Sequence, residues 1–356
     1  MTTPASPDHA EPWYLLGAGN MGLLAAHYLQ RAGFTVIALR RDATPRLERT
    51  LILPNGDRVP VQLLCERAPP AKGAKPRQDP RALSNDSKTD ASGIPPADVA
   101  GLSRAGPAPT RPAPPIRRLV VACKAPFSAA ALDGLPLAPD ATVLRLQNGL
   151  GSLDGLLPDG ARMIEVVSAS AVKRDGDAHR VVAENDTWMG ESIAAVAPAA
   201  GAPAAGAPAE PPTWFCPLTE HWPKLHWPDD FHHRQWRKLI GNAVINPLTG
   251  LHDVPNGRIF QDPALAGEAE QLAREADRVF TALDPTWPGD SLTGVRALAE
   301  ATAGNTSSMR ADMQAGALTE IDAINGWLLR QAEALDIDLP THRRIVAAVQ
   351  ARHTEL

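Results

Sequence analysis

Residues 13–42 read WYLLGAGNMGLLAAHYLQRAGFTVIALRRD, and their apolar runs and glycines predict how the first half of the chain folds. Trp13–Leu16 is a short apolar run of the kind that forms a buried parallel strand. After a glycine-rich turn, a helix is expected from about Met21 to Ala32, and Gly33 can end it. Thr35–Leu39 is a second apolar, β-branched run. The chain therefore opens with a strand, a helix and a strand.

Later apolar runs continue this alternation. Arg118–Ala122 and Thr142–Leu146 are predicted strands, each followed by polar or glycine residues. Leu51–Val61 has the pattern of a hairpin around Asn55-Gly56, a pair that suits a turn with positive φ. Strands that alternate with helices predict a doubly wound sheet up to about residue 194.

After Trp214 the character of the sequence changes, and long helical patterns dominate. Thr319 is the expected N-cap of the last predicted helix, because acidic residues follow it in the first turn. The fold class predicted is an α/β domain followed by an all-α domain. The predicted helices cover about Asp230–Leu248, Pro263–Leu283, Gly289–Met313 and Thr319–Leu335.

The length of the chain, 356 residues, is enough for two domains at about 150 residues each. We expect residues 12–213 to form the first domain and residues 214–356 the second. Two tracts rich in Pro and Ala, 69–115 and 197–212, are interpreted as surface insertions in the first domain. A polyproline docking segment is the alternative for these tracts.

The charge and cysteine content of the chain argues against several classes of protein. Its 35 Lys and Arg against 40 Asp and Glu give a net charge of −5, which disfavours binding to nucleic acid or a membrane surface. Cys65, Cys123 and Cys216 have no CxxC spacing, so neither a disulfide framework nor a metal site is expected. The first twelve residues are polar and no run reaches membrane-spanning length, so we expect a cytoplasmic protein.

Gly17-Ala18-Gly19-Asn20-Met21-Gly22 is a GxGxxG motif, and it lies between a predicted strand and a predicted helix, as this motif requires. The first glycine permits a tight turn, the second lets the backbone approach a pyrophosphate, and the third lets the helix pack on the strand. The helix N-terminus adds partial positive charge. We interpret these six residues as a dinucleotide site, with a glycine turn that binds no cofactor as the alternative.

Arg40-Arg41-Asp42, at the end of the second predicted strand, indicates which dinucleotide is bound. Sites for NAD usually place an acidic residue there to bind the ribose 2′-hydroxyl. Two arginines instead suit a 2′-phosphate, which a guanidinium can bind through two hydrogen bonds. NADP(H) is therefore the expected cofactor, bound through Arg40 and Arg41, and Asp42 leaves NAD(H) open.

Polar residues follow two of the predicted strands. Lys124 comes after one strand, and Asn148, within the segment Gln147–Gly151, comes after the next. Because the carboxyl ends of parallel strands border the crevice in which ligands bind, both side chains are expected there. A solvated loop lysine is the alternative for Lys124.

Lys238, Asn242 and Asn246 recur at every fourth position, so they share one face of a predicted helix. Asparagine is a mediocre helix former, so two of them above a lysine need an explanation. The row is either a polar network between helices or a site for a small oxyacid. Asn305–Ser308 and Glu320 supply hydroxyls and a carboxylate further along the chain.

Together these segments resemble the ketopantoate reductase (2-dehydropantoate 2-reductase) family. The resemblance follows the order of the chain and omits only the two insertions. It implies a Rossmann-type domain followed by a helical domain like that of 6-phosphogluconate dehydrogenase. The segments are GAGNMG at 17–22, CKA at 123–125, QNGLG at 147–151, WRKLIGNAVINPLTGLHDVPNG at 236–257 and NTSSMRADMQAGALTEIDAINGWLL at 305–329.

The resemblance also implies roles for individual residues. Lys238 matches the family's catalytic lysine, which donates a proton to the substrate carbonyl oxygen as hydride arrives, and Glu320 matches the acid that orients it. Lys124 and Asn148 match residues of the cleft near the nicotinamide, and Arg41 stands at the position for the 2′-phosphate. Substrate-binding positions are matched by Asn242, Asn246 and Ser308, with Asn305 beside them and Asn256 in a looser role.

The activity that the resemblance implies is reduction of 2-dehydropantoate to pantoate by NADPH, in the synthesis of pantothenate and coenzyme A. A reductase of another branched 2-oxo acid is the first alternative. A dinucleotide-binding regulatory protein without catalysis is the second, and it should have lost Lys238 or Glu320. The expected partner is the small-molecule substrate, without nucleic acid or membrane, and a homodimer is left open.

Overall fold

A computed structural model of the chain describes residues 11–42, 44–69, 114–191 and 210–354. Most of the two predicted insertions, residues 70–113 and 197–209, lies outside the described residues. Within the described ranges, no helix is both long enough and apolar enough to cross a membrane.

One mixed sheet of eleven strands is built from the described residues of the first half and from the short strand Leu225–His226. Its order is β11-β10-β7-β6-β5-β1-β2-β4-β3-β9-β8. The strands from β7 to β4 in this order run parallel, as the alternating pattern predicts. The strands are β1 Trp13–Leu16, β2 Val36–Arg40, β3 Arg46–Ile52, β4 Arg58–Arg67, β5 Ile116–Val121, β6 Leu137–Arg145, β7 Arg162–Ser168, β8 Ala171–Asp175, β9 Ala178–Ala183, β10 Thr187–Glu191 and β11 Leu225–His226.

The predicted hairpin around Asn55-Gly56 is confirmed, because β3 and β4 pair antiparallel on either side of it. The opening helix is confirmed as well, one residue from its predicted start. Helices dominate the second half of the chain, as expected. The helices are α1 Asn20–Arg31, α2 Ser128–Leu132, α3 Phe215–Thr219, α4 Phe231–His252, α5 Pro263–Leu283, α6 Ser291–Ala301, α7 Ser308–Gln314, α8 Ile321–Ala334 and α9 Pro340–Thr354.

Two predictions about helix boundaries are wrong. The helix expected over Gly289–Met313 is two helices, α6 and α7, because the Ser307 hydroxyl accepts a hydrogen bond from the Arg310 amide and starts a new helix. Thr319 is not the N-cap of α8, since Glu320 occupies that position. The Glu320 side chain makes no capping bond there, which leaves its carboxylate available for contacts elsewhere.

Residues 214–226 pack with the sheet rather than with the long helices. Trp214 and Trp222 belong to the same buried cluster as Trp13 and Tyr28, and β11 pairs with β10. Burial of these aromatic rings ties the segment to the first half of the chain. We therefore propose that the two domains meet near residue 230, and not at residue 214.

The centre of the helical domain is α4, which contains Pro247. Proline has no N–H, so the carbonyl of Ala243, four residues earlier, loses its partner within the helix. The fully buried Asn325 of α8 replaces that partner, with its Nδ2 donating to the Ala243 oxygen at 2.8 Å. Asn325 also contacts the buried His342 of α9 at 3.1 Å, so one amide links three helices.

We expect Asn325→Ala to lower the free energy of unfolding by about 1–3 kcal/mol, because the Ala243 carbonyl is then buried without a partner. Urea unfolding measures this change. Pro247→Ala supplies an N–H to the same carbonyl, so it should recover part of the loss when combined with Asn325→Ala. Equal stability of Asn325→Ala and wild type would contradict this assignment.

Candidate active site between the two domains

The glycine turn after β1 has the geometry that its motif predicts. Gly17 has φ +94°, and a Cβ atom there would lie 2.3 Å from the Cys123 nitrogen at the end of β5. A Cβ atom at Gly22 would lie 2.0 Å from the Gly17 oxygen. At Gly19 a Cβ would meet no atom within 4 Å. The first and third glycines therefore allow close packing, and the second faces open space that a pyrophosphate could approach.

The other residues of the motif have different surroundings. The side chains of Ala18 and Met21 are partly buried and pack against the core of the sheet. Asn20 Oδ1 lies 2.7 Å from Nδ1 of His179, a buried residue of β9. The N-cap residue of α1 is Gly19, which has no side chain, so the first amides of the helix receive no side-chain capping bond. Its amides therefore meet the requirement for an anion site.

The two arginines after β2 differ in their partners. Arg40 makes two hydrogen bonds to the Asp42 carboxylate, at 2.8 and 2.6 Å, and this pairing holds the pKa of Asp42 well below its usual range. Arg41 donates to the Ala130 carbonyl at 3.3 Å. The charge of Arg40 is thus neutralised by the Asp42 carboxylate, whereas Arg41 is exposed and hydrogen-bonded only to an uncharged carbonyl among the described contacts.

The QNGLG segment, residues 147–151, is a loop of the first domain that packs against the helical domain. Gly149 has φ +73°, and a Cβ atom there would lie 2.2 Å from the Ala323 oxygen of α8. The Leu150 amide donates to that oxygen at 2.7 Å. The loop can pack this closely against α8 because residue 149 is a glycine.

Glu320 lies at this junction, at the start of α8. Its Oε2 accepts from Asn148 Nδ2 at 2.9 Å and its Oε1 from the Ala125 amide at 3.2 Å. Burial raises the pKa of this carboxyl, and the two hydrogen bonds oppose the rise. The structure therefore brings together Asn148 and Glu320, for which the family resemblance implies positions near the nicotinamide and in catalysis.

Lys124 forms an ion pair across the same junction, with Asp312 of α7. Burial raises the pKa of Asp312, and Lys124 opposes this shift. Asp312 is not among the site residues predicted from the sequence, although it lies four residues after Ser308 and thus on the same helix face. That spacing could have identified it.

Lys238 lies in the cleft between α4 and the ends of β6 and β7. Its Nζ donates to the Ser168 carbonyl at 2.5 Å. Burial lowers the pKa of Lys238 to about 8, with Arg145 adding to the shift and Glu320 opposing it. A lysine with this pKa holds a proton at neutral pH and can give it up readily. Asn242 of α4 lines the same cleft.

The cleft is also lined by three polar residues that are not among the predicted site residues: Arg145, Glu165 and Gln235. Arg145 and Glu165 form a buried ion pair. Gln235 lies three residues before Lys238 on α4, and its Nε2 is buried without a hydrogen-bond partner in the described part of the chain. A charged residue within the otherwise apolar strand pattern TVLRL, residues 142–146, could have identified Arg145 as a candidate site residue.

The remaining predicted substrate residues lie around α4 and α7. Asn246 is buried on α4, and Asn305 and Ser308 are exposed at the start of α7. Asn256 is buried, and its Nδ2 donates to the Thr302 hydroxyl at 3.0 Å. Among the described contacts, none joins the Asn256 side chain to the cleft that holds Lys238. Its predicted role in substrate binding stays a prediction.

The glycine turn, the cleft and the helical second domain together define a class of protein, the oxidoreductases that have a Rossmann-type domain. The chain belongs to the ketopantoate reductase family. The family model described as "Ketopantoate reductase PanE/ApbA" matches residues 13–193, and the model of its C-terminal part matches residues 230–353.

Individual proteins show the same relationship. A 2-dehydropantoate 2-reductase from Yersinia pestis is 30% identical over 220 residues, which are 62% of this chain and 68% of that protein. One from Shigella flexneri is 30% identical over 214 residues, 60% of this chain and 66% of that protein. The chain thus matches about two thirds of the length of these relatives.

Among solved structures, a PanE/ApbA family ketopantoate reductase from Ralstonia eutropha has a TM-score of 0.67 at 21% identity, covering 97% of this chain and 99% of the other. The complex of D-mandelate dehydrogenase with NADH has a TM-score of 0.68 at 16% identity, with the same coverage. These similarities establish the fold.

Proposed function

We propose that the protein reduces 2-dehydropantoate to (R)-pantoate with NADPH, a reaction of pantothenate and coenzyme A synthesis. The observation that carries this proposal is Lys238, a cleft lysine with a lowered pKa that lies beside Asn242. The conjugate acid of such an amine suits the proton transfer that accompanies reduction of a 2-oxo acid. The matches to 2-dehydropantoate 2-reductases support this choice of substrate.

A nicotinamide dinucleotide fits the residues of the first domain. The open space at Gly19 and the uncapped N-terminus of α1 suit its pyrophosphate, and Arg41 suits a 2′-phosphate. When bound, the nicotinamide supplies the hydride for reduction. Lys124 and Asn148, which contact Asp312 and Glu320 across the cleft, would lie near it.

In the proposed reaction, the Lys238 ammonium donates a hydrogen bond to the carbonyl oxygen of the substrate and transfers its proton as negative charge develops there. Glu320 lies close enough to raise the pKa of Lys238 and so favours the protonated form. Asn242 and Asn246 lie on the same face of α4 and would bind the hydroxyl and carboxylate of the substrate, with Ser308 and Asn305 beside them.

The experiment that tests this function follows NADPH oxidation by purified protein with 2-dehydropantoate as substrate. Parallel reactions use NADH in place of NADPH and 2-oxoisovalerate in place of 2-dehydropantoate. Turnover that requires NADPH and 2-dehydropantoate supports the proposal. A preference for 2-oxoisovalerate assigns the site to another branched 2-oxo acid, and NADPH binding without turnover favours a regulatory protein.

Arg41→Ala is expected to raise KM for NADPH about 10–100-fold while KM for NADH stays the same, because one charged hydrogen-bond donor to the 2′-phosphate is lost. Steady-state kinetics with both cofactors measure this difference. Arg40→Ala should have a smaller effect, since Asp42 already pairs with Arg40. Equal changes in KM for the two cofactors would show that Arg41 does not contact the phosphate.

A further inference from the structure

A buried ion pair lies under the QNGLG segment, and neither of its two residues donates the proton in the reaction proposed above. Arg145 ends β6 and Glu165 lies opposite it on β7. Arg145 Nε and Nη2 lie 2.7 and 2.6 Å from Glu165 Oε2, and the two side chains are only 2% and 3% exposed. On the other side of Arg145, β5 has Val121 in register, which is apolar and fully buried.

Burial of two charges is a poor way to stabilise a sheet, because the loss of hydration offsets most of their attraction. Apolar residues of similar volume would serve as well, as Val121 does on the neighbouring strand. The pair therefore needs an explanation other than stability. The remaining hydrogen bonds of the Arg145 guanidinium supply one.

Arg145 holds the backbone of the loop that follows it. Its Nη2 donates to the Gly149 carbonyl at 2.7 Å and its Nη1 to the Ser152 hydroxyl at 3.3 Å. The Ser152 hydroxyl in turn donates to the Gln147 side chain at 2.5 Å, and Gln147 Nε2 donates to the Cys123 carbonyl at 2.7 Å. The loop is thus fixed at residues 147, 149 and 152.

Asn148 lies between these fixed points. Its Nδ2 donates to Glu320, the carboxylate whose charge favours the protonated form of Lys238. Glu165 holds the guanidinium in the orientation that reaches Gly149, since a guanidinium presents its donors in a planar fork. An ion pair in the sheet is therefore linked through the loop to the site of proton transfer.

We propose that Arg145 and Glu165 are positioning residues for the reductase activity proposed above: the pair clamps the loop at residues 147–152 and so holds Asn148 against Glu320. The inference rests on the proposed function for its effect on catalysis. The clamp itself is a property of the free protein.

The test replaces both charges, as Arg145→Met with Glu165→Met, so that neither is left buried alone. Hydrogen–deuterium exchange of the segment 147–152 in the free protein should become faster than in wild type. The matched control is Arg118→Met, which removes another buried arginine of the sheet, one that packs on the rings of Trp13 and Phe34. Exchange of 147–152 in this control should equal wild type.

Kinetics then separate positioning from a general loss of structure. The double variant should lose about 10²-fold in kcat, the scale of a misplaced catalytic group. In an Asn148→Ala background the same double replacement should cost much less, because the residue it positions is gone. An equal loss in both backgrounds would overturn the proposal, and so would unchanged exchange of the loop.

Arg145→Lys is a second variant if the double variant does not fold. This variant keeps a cation beside Glu165, but one ammonium group cannot replace all the hydrogen bonds of the guanidinium. Exchange of residues 147–152 should therefore be faster than in wild type. A wild-type exchange rate would overturn the proposed clamp. Because exchange is measured without substrate, wild-type protein that fails to reduce 2-dehydropantoate would count against the proposed function alone. Loop exchange would still decide the clamp.

Discussion

Lys238→Ala is expected to lower kcat by about 10²–10⁴-fold while NADPH still binds, because the variant lacks the proposed proton donor to the substrate oxygen. The proposed dinucleotide site consists of the glycine turn and the end of β2, whereas Lys238 lies on α4 in the other domain. Steady-state turnover and fluorescence titration with NADPH measure the two properties separately.

The control for this variant is Lys173→Ala, which removes an exposed lysine of β8. It should keep the wild-type kcat. A Lys238→Ala variant with unchanged kcat would remove Lys238 from the proposed role. Loss of NADPH binding together with kcat would instead indicate that the cleft depends on Lys238 for its structure.

Glu320→Gln is expected to lower kcat by about 10–100-fold and to change its pH dependence. The proposed reaction needs protonated Lys238, so wild-type kcat should fall as pH rises above about 8, where that lysine loses its proton. Glu320 raises the pKa of Lys238, and its charge is absent in the variant. The pKa of Lys238 therefore decreases, and the alkaline fall in kcat should begin at a lower pH.

A pH profile of kcat for both proteins measures this shift. The glutamine is close to glutamate in size, so the fold is retained and the charge is the main change. Asp322→Asn, which removes an exposed carboxylate two residues further along, is the matched control and should leave the profile unchanged. An alkaline limb at the same pH in wild type and Glu320→Gln would show that Glu320 does not act on the proton donor.

The two variants test different parts of one arrangement. Lys238 approaches the end of β7, where it donates to the Ser168 carbonyl, and Glu320 approaches from the start of α8. Each is held by a backbone or amide group of the sheet domain. The proposed proton donor and its neighbouring carboxylate therefore depend on docking of the two domains.

Much of the fold was predictable because it follows from local patterns. Trp13–Leu16 is the first strand as predicted, α5 has the predicted ends Pro263 and Leu283, and the hairpin turns at Asn55-Gly56. Apolar periodicity and glycine positions specify such elements within a few residues of the chain. The prediction of a single helix over Gly289–Met313 is wrong, because the capping bond of Ser307 starts a new helix within a continuous helical pattern.

Local sequence patterns specify the glycine turn, the change from strands to helices and the row of Lys238 and Asn242 on one helix face. The contact of Asn148 with Glu320, 172 residues away, and the pairing of Arg145 with Glu165 depend instead on how distant segments pack. The physical reason is the range of the interactions. Turn geometry and helix periodicity are local, whereas the partner of a buried charge depends on strand order and on how the helical domain docks.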